Sequence, residues 1–285
     1  MLDKDSYLNQ PCAICGENRP EKFRIWFDDY VKLYCCNKCG FISQFPGPGK
    51  YTVIKANEYK DKYSLDFVKK GKEFMYPQRE NSLQDIINRI TKYKTTGDLL
   101  DIGCGDGHFL SLIRKEKFNC YGVEASEVLS NYASSKSGAK IIQNSYNKEL
   151  FPPNSFDIIT LLQVLEHIHT PVDILKIIKY HLRPNGILVV EIPSINSPHF
   201  LAYRLTKIKK FVKPPKGVIY SHFGYYSPKS LLTLTQKSSF KKEKLITGRW
   251  QHKYSGYLKL LGFIIDPILN LTNIGGIFYI GSNIK

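Results

Sequence analysis

Apolar runs and amphipathic segments alternate along the middle of the chain. The runs have the length of strands and lie near residues 98–102, 119–124, 140–143, 156–162 and 187–192. The segments between them have helical periodicity. This alternation predicts an α/β fold, in which a parallel sheet carries helices on both faces. Ligands of such sheets bind beyond the carboxyl ends of the strands, so we expect the functional site there.

The first of these strands ends in a glycine-rich turn. Residues 98–107 read DLLDIGCGDG, and a helical pattern follows from His108. Glycine accepts positive φ and places no Cβ between the backbone and a ligand, and the N–H groups of the next helix face the same place. The spacing is G-x-G-x-G instead of the G-x-G-x-x-G of dinucleotide folds. Asp101 precedes the first glycine, so we expect a small, cationic ligand.

A second acidic residue ends the next strand. Glu124 lies in CYGVEAS, twenty-one residues after Gly103. A carboxylate at this place can accept hydrogen bonds from both hydroxyls of a ribose. Alternatively, it is an N-terminal acid of the helix expected over residues 125–136. Beside the glycine turn, we predict the ribose role.

Two stretches resemble a known family. LLDIGCGDG resembles the first motif of class I S-adenosylmethionine-dependent methyltransferases, and QVLEHIH resembles the fourth motif of the branch that includes quinone-precursor O-methyltransferases. The resemblance covers roughly residues 80–285 and implies a Rossmann-like sheet of seven strands, completed by an antiparallel pair near 240–247 and in GGIFYIGSNIK. It implies S-adenosylmethionine as the cofactor. The cofactor-binding residues that we predict are Asp101, Gly103, Gly105, Gly107, Glu124, Ser145 and Gln163. At the adenine position the family commonly has an acid, whereas this chain has Asn144 and Ser145.

The same resemblance places the methyl acceptor beyond the fourth strand and next to the segment HFGYYSPKS. Gln163, Glu166, His167 and His169 follow that strand. We predict Glu166, His167 and His222 as catalytic residues, with His222 as general base if its imidazole keeps a solution-like pKa of about 6.5. Tyr225 and Tyr226 are expected to project into the cleft. The alternatives are structural: a helix-capping role for Glu166 and His167, and an ordinary loop position for His222.

Four cysteines form two C-x-x-C pairs near the N-terminus. Cys12 and Cys15 lie in CAICG, Cys36 and Cys39 lie in CNKCG, and twenty residues separate the pairs. Four thiolates at this spacing can surround one zinc ion and stabilise a module too small for its own core. We predict a structural zinc ribbon over residues 1–50, with unmetallated thiols as the alternative. A helical linker over 51–97 and a methyltransferase domain over 98–285 follow, with a substrate-side insertion at about 195–229.

Positive charge is concentrated in the last third of the chain. The net charge is +16, and residues 201–285 contain 15 Lys or Arg but 2 Asp or Glu. LAYRLTKIKKFVKPPK predicts a basic amphipathic helix that binds an anionic acceptor or a membrane surface, with a solvated lid helix as the alternative. The chain has no apolar run of transmembrane length and its first ten residues lack the core of a signal peptide. We therefore expect a cytoplasmic protein, with peripheral membrane contact as an option.

These features predict an S-adenosylmethionine-dependent enzyme that methylates an oxygen atom by in-line transfer. The expected acceptor is a small molecule, a sugar or glycan, or a lipid-linked group. Two alternatives stay open: an RNA methyltransferase whose ribbon and lysines bind phosphates, and a cofactor-binding module without catalysis. The sequence does not predict the acceptor's identity or the oligomeric state.

Overall fold

A computed structural model describes residues 11–18, 25–26, 32–45, 76–194, 222–249 and 276–284. The strands are β1 (Ile25–Trp26), β2 (Lys32–Cys35), β3 (Ile42–Phe45), β4 (Gly97–Ile102), β5 (Phe118–Glu124), β6 (Lys140–Gln143), β7 (Phe156–Leu162), β8 (Leu182–Pro193), β9 (Gly224–Tyr225), β10 (Phe240–Arg249) and β11 (Gly276–Asn283). The helices are α1 (Tyr76–Ile90), α2 (His108–Ile113), α3 (Glu127–Lys136), α4 (Pro171–His181) and α5 (Pro228–Lys237). Two 3₁₀ turns, Lys148–Leu150 and Leu165–His167, follow β6 and β7.

The larger sheet has seven strands in the order β10-β11-β8-β7-β4-β5-β6. Strands β4 to β8 run parallel, and β11 is antiparallel to both β8 and β10. The predicted seven-stranded α/β sheet is therefore confirmed. Because β5 and β7 flank β4 on opposite sides, the connections after β4 and β7 leave in opposite directions and open a crevice at this edge.

Buried apolar side chains cover both faces of this sheet. Successive residues of β4 point to opposite faces: Leu99 packs with Ile86, Ile87 and Ile90 of α1. Leu100 belongs to the other cluster, which includes residues of α4 and α5. The sequence pattern predicts a helix over residues 80–94 with Leu83, Ile86, Ile87 and Ile90 on one face, and this face lies in the core. The two layers of helices hold the ends of β4 and β7 in place.

Several element boundaries differ from the sequence prediction. The sequence pattern predicts that the helix after the glycine turn extends from Phe109 to about Lys117. Helix α2 ends at Ile113 instead, because the exposed charged residues 115–117 offer no apolar face to continue the packing. Strand β8 begins at Leu182, five residues before the expected start. The sequence predicts Ser227 as the N-cap of a helix with Pro228 at its first position. This start of α5 is confirmed, since Ser227 Oγ accepts a hydrogen bond from Ser230 N at 3.1 Å. The sequence pattern also predicts a helix over residues 57–76, of which the structure describes residue 76 alone. The predicted basic helix over residues 201–216 lies outside the described residues.

The smaller sheet joins the N-terminal cysteine-containing strands to the rest of the chain. Its order is β1-β2-β3-β9, and Ile42 and Ser43 of β3 pair antiparallel with Tyr225 and Gly224 of β9. A Cβ on Gly224 would lie 2.6 Å from the ring of Phe41, so only glycine permits this approach. The N-terminal module is therefore built onto the segment that carries His222.

The expectation that Tyr226 projects into the cleft is wrong. Its side chain is fully buried, and its ring packs on Phe41 with the ring centroids 5.0 Å apart. Tyr226 stabilises the contact between the two sheets, because an aromatic pair of this geometry buries a large apolar area. Within the described parts of the chain, no helix is long and apolar enough to cross a membrane.

Candidate active site

The three glycines of the turn after β4 have different surroundings. All three have positive φ, between 56° and 77°. A Cβ on Gly103 would lie 2.7 Å from Val164 Cγ2, and one on Gly107 would lie 2.9 Å from Ser137 Cβ. A Cβ on Gly105 would meet no atom within 4 Å. Gly103 and Gly107 thus permit packing, while Gly105 borders open space that a ligand can occupy.

Glu124 holds this turn through its carboxylate. Its Oε2 accepts a hydrogen bond from Gly105 N at 2.9 Å, and its Oε1 accepts one from Ser126 N at 2.8 Å. Each carboxylate oxygen has a second lone pair, so Glu124 can still accept hydrogen bonds from ligand hydroxyls. The predicted acid therefore lies in contact with the predicted turn, and it links the turn to the start of α3.

Asp101 is buried beneath the turn, with 3% of its surface exposed. Its Oδ1 accepts a hydrogen bond from Thr160 Oγ1 at 2.6 Å. Burial, with a smaller effect of the charge of Glu124, raises the pKa of Asp101 to about 7, although the Thr160 hydrogen bond and the charge of Arg79 oppose this shift. A ligand with positive charge would favour the ionised form. S-adenosylmethionine, with its sulfonium, ammonium and ribose, fits Asp101, Gly105 and Glu124.

Three predicted catalytic residues come together beyond β7. Glu166 and His167 lie in the 3₁₀ turn after this strand, and His222 comes from the segment before β9. The rings of His167 and His222 have centroids 4.7 Å apart and are nearly perpendicular, at 81°. One ligand atom from each of the three residues lies within 4.8 Å of the others. Phe223 N donates a hydrogen bond to the Glu166 carbonyl at 2.8 Å, which ties the two segments together.

Burial changes the protonation of this cluster. Glu166 is 1% exposed, and burial, with a smaller effect of Glu191, raises its pKa to about 8. Burial and the neighbouring His167 lower the pKa of His222 to about 3. The expectation of a solution-like imidazole at His222 is therefore wrong, and this side chain is a weak proton acceptor at neutral pH.

The remaining candidates border the same edge of the sheet. Gln163 directly follows β7 with a φ of 61°, and its Nε2 is buried without a hydrogen-bond partner among the described residues. Ser145 is exposed after β6. His169 lies outside the cluster and stacks on Phe223, with the ring centroids 3.6 Å apart. Sequence reasoning missed Thr160, whose signal is a polar residue inside the apolar run FDIITLL.

The four cysteines of the predicted ribbon also come together. The Sγ atoms of Cys12 and Cys39 are 3.6 Å apart, and those of Cys15 and Cys36 are 3.5 Å apart. A zinc ion bound tetrahedrally at about 2.3 Å from each sulfur requires sulfur atoms about 3.8 Å apart. All four Sγ atoms lie within 4.8 Å of one another, so the donor set fits zinc. Cys35 lies outside this set, near the carbonyl of Cys36.

A family model described as a methyltransferase domain matches residues 75–245, which is more than half of the chain. The chain belongs to the methyltransferase domain family. A ubiquinone biosynthesis O-methyltransferase of Rickettsia felis is 28% identical to this chain over 140 residues, covering 46% of the chain and 57% of the relative. The corresponding protein of Photobacterium profundum is 22% identical over 157 residues, covering 53% and 66%. The chain thus matches between about half and two thirds of these relatives' length.

Solved structures confirm the fold of this chain. The 1,6-didemethyltoxoflavin-N1-methyltransferase of Burkholderia thailandensis, solved with S-adenosylhomocysteine, aligns over 93% of this chain and 100% of its own, with a TM-score of 0.57 and 11% identity. An S-adenosylmethionine-dependent methyltransferase of Archaeoglobus fulgidus aligns over 77% and 100%, with a TM-score of 0.52 and 17% identity. The predicted class I, Rossmann-like methyltransferase fold is confirmed.

We expect Gly105→Ala to weaken S-adenosylmethionine binding by about tenfold or more, because its Cβ enters the open space of the turn. We expect the substitution to lower the unfolding free energy by about 1–2 kcal/mol, because alanine is strained at a positive φ and its Cβ meets no other atom. Calorimetric titration and urea unfolding measure the two effects. Gly107→Ala is the matched control: its Cβ contacts Ser137 and Ala133, so we expect a larger loss of stability. Wild-type affinity in Gly105→Ala would exclude this turn as the cofactor site.

We expect the affinity for S-adenosylmethionine to rise with pH up to about 7, by up to about tenfold per pH unit. Below this pH a proton on Asp101 competes with the cationic ligand, since the pKa of Asp101 is raised to about 7. Titration calorimetry between pH 5.5 and 8 measures the dependence. Asp101→Asn removes the carboxyl group that titrates. Any pH dependence of binding that remains in this variant comes from titration of the ligand itself. An identical pH profile in the variant would contradict the contact between Asp101 and the ligand.

Proposed function

We propose that this protein transfers a methyl group from S-adenosylmethionine to a hydroxyl oxygen of a small-molecule, sugar or lipid-linked acceptor. The observation that carries the proposal is the contact between two halves of one site. The glycine turn lies against Val164, which directly precedes the turn Leu165–His167. A methyl donor bound at Gly105 would therefore lie beside the polar cluster of Glu166, His167 and His222.

The residues of the turn have separate roles in holding the donor. Gly105 leaves room for it, Glu124 accepts hydrogen bonds from the ribose, and Asp101 offsets its positive charge. S-adenosylmethionine supplies a methyl group on a sulfonium, and transfer to a hydroxyl yields a methyl ether, S-adenosylhomocysteine and one proton. Orientation by the two halves of the site supports the rate, because in-line transfer requires the oxygen, carbon and sulfur to be collinear.

The names of the relatives support a small acceptor. Two curated relatives are ubiquinone biosynthesis O-methyltransferases, and the Burkholderia structure contains 1,6-didemethyltoxoflavin. Nothing among these comparisons favours RNA methylation or a module without catalysis. In the described part of the ribbon, Lys38 forms an ion pair with Glu17 at 2.7 Å. This pair makes the Lys38 ammonium group less available to a phosphate backbone.

We propose that the protein lies in the cytoplasm, with the basic last third of the chain available to anionic acceptor groups or lipid.

We infer that a structural zinc ion occupies the four-cysteine site. The support is the tetrad of sulfur atoms and the knuckle turns, in which Gly16 N and Gly40 N donate hydrogen bonds to the carbonyls of Cys12 and Cys36 at 2.9 and 2.8 Å. The site has no open position for a substrate. The zinc ion would stabilise β3, which pairs with β9. In this way it would position His222, which precedes β9.

We expect methyl-labelled S-adenosylmethionine to label small hydroxyl compounds, with release of S-adenosylhomocysteine. Mass spectrometry of products from a panel of catechols, sugar nucleotides and glycolipids, with total RNA in parallel, identifies the acceptor class. Gly105→Ala is the negative control. Label in RNA alone would support an RNA methyltransferase. Cofactor binding without transfer to any acceptor would support the non-catalytic alternative.

We expect one zinc ion at the cysteine site and its loss in Cys12→Ser. Methyl transfer should then fall by about tenfold or more while the affinity for S-adenosylmethionine stays within about twofold, since the glycine turn is separate from the ribbon. Native mass spectrometry, turnover and calorimetry measure the three quantities. Cys35→Ser is the matched control and should retain zinc and activity. Retention of zinc in Cys12→Ser, or loss in Cys35→Ser, would refute this ligand set.

A further inference from the structure

The cluster of Glu166, His167 and His222 contains polar atoms whose hydrogen-bonding capacity is unused. Glu166 Oε2 and His222 Nδ1 are both buried and have no hydrogen-bond partner among the described residues. A buried polar atom without a partner costs about 1–3 kcal/mol. Two such atoms in one cluster indicate a bound species that contacts both of them.

The chemistry of the donors indicates which species fits. One carboxylate oxygen and two imidazole nitrogens are a ligand set that divalent zinc, manganese and iron accept. Imidazole nitrogens are common metal ligands, and here they lie beside a carboxylate oxygen. A cation about 2.2 Å from each ligand atom holds the ligands at most about 4.4 Å apart. The ligand atoms of the three residues lie within 4.8 Å of one another. A bound cation would therefore draw them together by a few tenths of an ångström.

We propose that Glu166, His167 and His222 form a binding site for one divalent transition-metal cation, separate from the four-cysteine site. Three protein ligands leave at least one coordination position open for a ligand from outside the chain. The cluster lies next to Val164 and so to the glycine turn. The open position is therefore available to the acceptor oxygen.

The role of this cation rests on the proposed function, whereas its binding does not. A cation that binds the acceptor hydroxyl lowers the pKa of that hydroxyl. The hydroxyl releases its proton to water, its oxygen forms a bond to the methyl carbon, and the carbon–sulfur bond breaks with its electron pair left on sulfur. Activation by a cation takes the place of a general base, for which His222 is poorly suited because its imidazole is buried.

Titration of the full-length, zinc-containing protein with Mn²⁺ tests the site. Mn²⁺ prefers oxygen and nitrogen donors over thiolates, so it should leave the cysteine site unchanged. We expect one Mn²⁺ per chain, measured by loss of the electron paramagnetic resonance signal of the free ion. Zn²⁺ added to the same protein should give one ion beyond the ribbon zinc in native mass spectrometry, and it should displace Mn²⁺.

Two variants and one control make the test specific. Glu166→Gln and His222→Gln remove one ligand each with little change in volume, and each should weaken Mn²⁺ binding by about 100-fold or more. His169→Ala, a neighbouring histidine outside the cluster, should bind Mn²⁺ as the wild type does. Circular dichroism and the affinity for S-adenosylmethionine verify that the variants are folded. The proposal is overturned if the wild type binds neither Mn²⁺ nor a second Zn²⁺, or if both folded variants bind the ion with wild-type affinity.

Activity measurements separate the two proposals. Methyl transfer that is unchanged after removal of the second ion would refute the role of the cation while leaving the proposed function intact. Specific Mn²⁺ binding without methyl transfer to any acceptor would support the site and refute the proposed function. We expect turnover to fall at least about tenfold without the ion and to recover when Mn²⁺ is added back.

Discussion

The close contact between the turn after β4 and the segment after β7 is the constraint on which this site depends. Gly103 lies against Val164 so tightly that a single Cβ would collide with it. In the proposed function, this contact places the donor side, at Gly105, next to the acceptor side, at Glu166. It exists because β4 and β7 are parallel neighbours in the sheet, and both carboxyl ends therefore reach the same edge.

The two halves of the site share a second feature, which is that each contains a buried carboxyl group. Asp101 and Glu166 are almost inaccessible to solvent, and burial raises the pKa of each carboxyl group. A buried carboxylate without a positive partner is unfavourable. The site is therefore suited to ligands that bring positive charge, and in our proposals these are the cofactor at Asp101 and a metal cation at Glu166.

The N-terminal module contributes to the acceptor side through the backbone. Strand β3 pairs with β9, and Gln44 N donates a hydrogen bond to the Phe223 carbonyl at 3.2 Å. These bonds fix the residue next to His222 from one side, while the bond from Phe223 N to the Glu166 carbonyl fixes it from the other. The zinc ion that we propose for the ribbon could therefore influence the proposed methyl transfer without contacting any substrate.

The sequence by itself determined the sheet, the glycine turn and the cysteine set, because these depend on local periodicity and on spacing between near neighbours. It also predicted Glu166, His167 and His222 as a group, although no pattern shows that residues 55 positions apart touch. Only the tertiary structure decided which glycine borders open space, that Tyr226 belongs to the interface with the ribbon, and that His222 is a poor base. The physical reason is that packing and burial set the space at Gly105 and the protonation of His222, and both arise from segments distant in the chain.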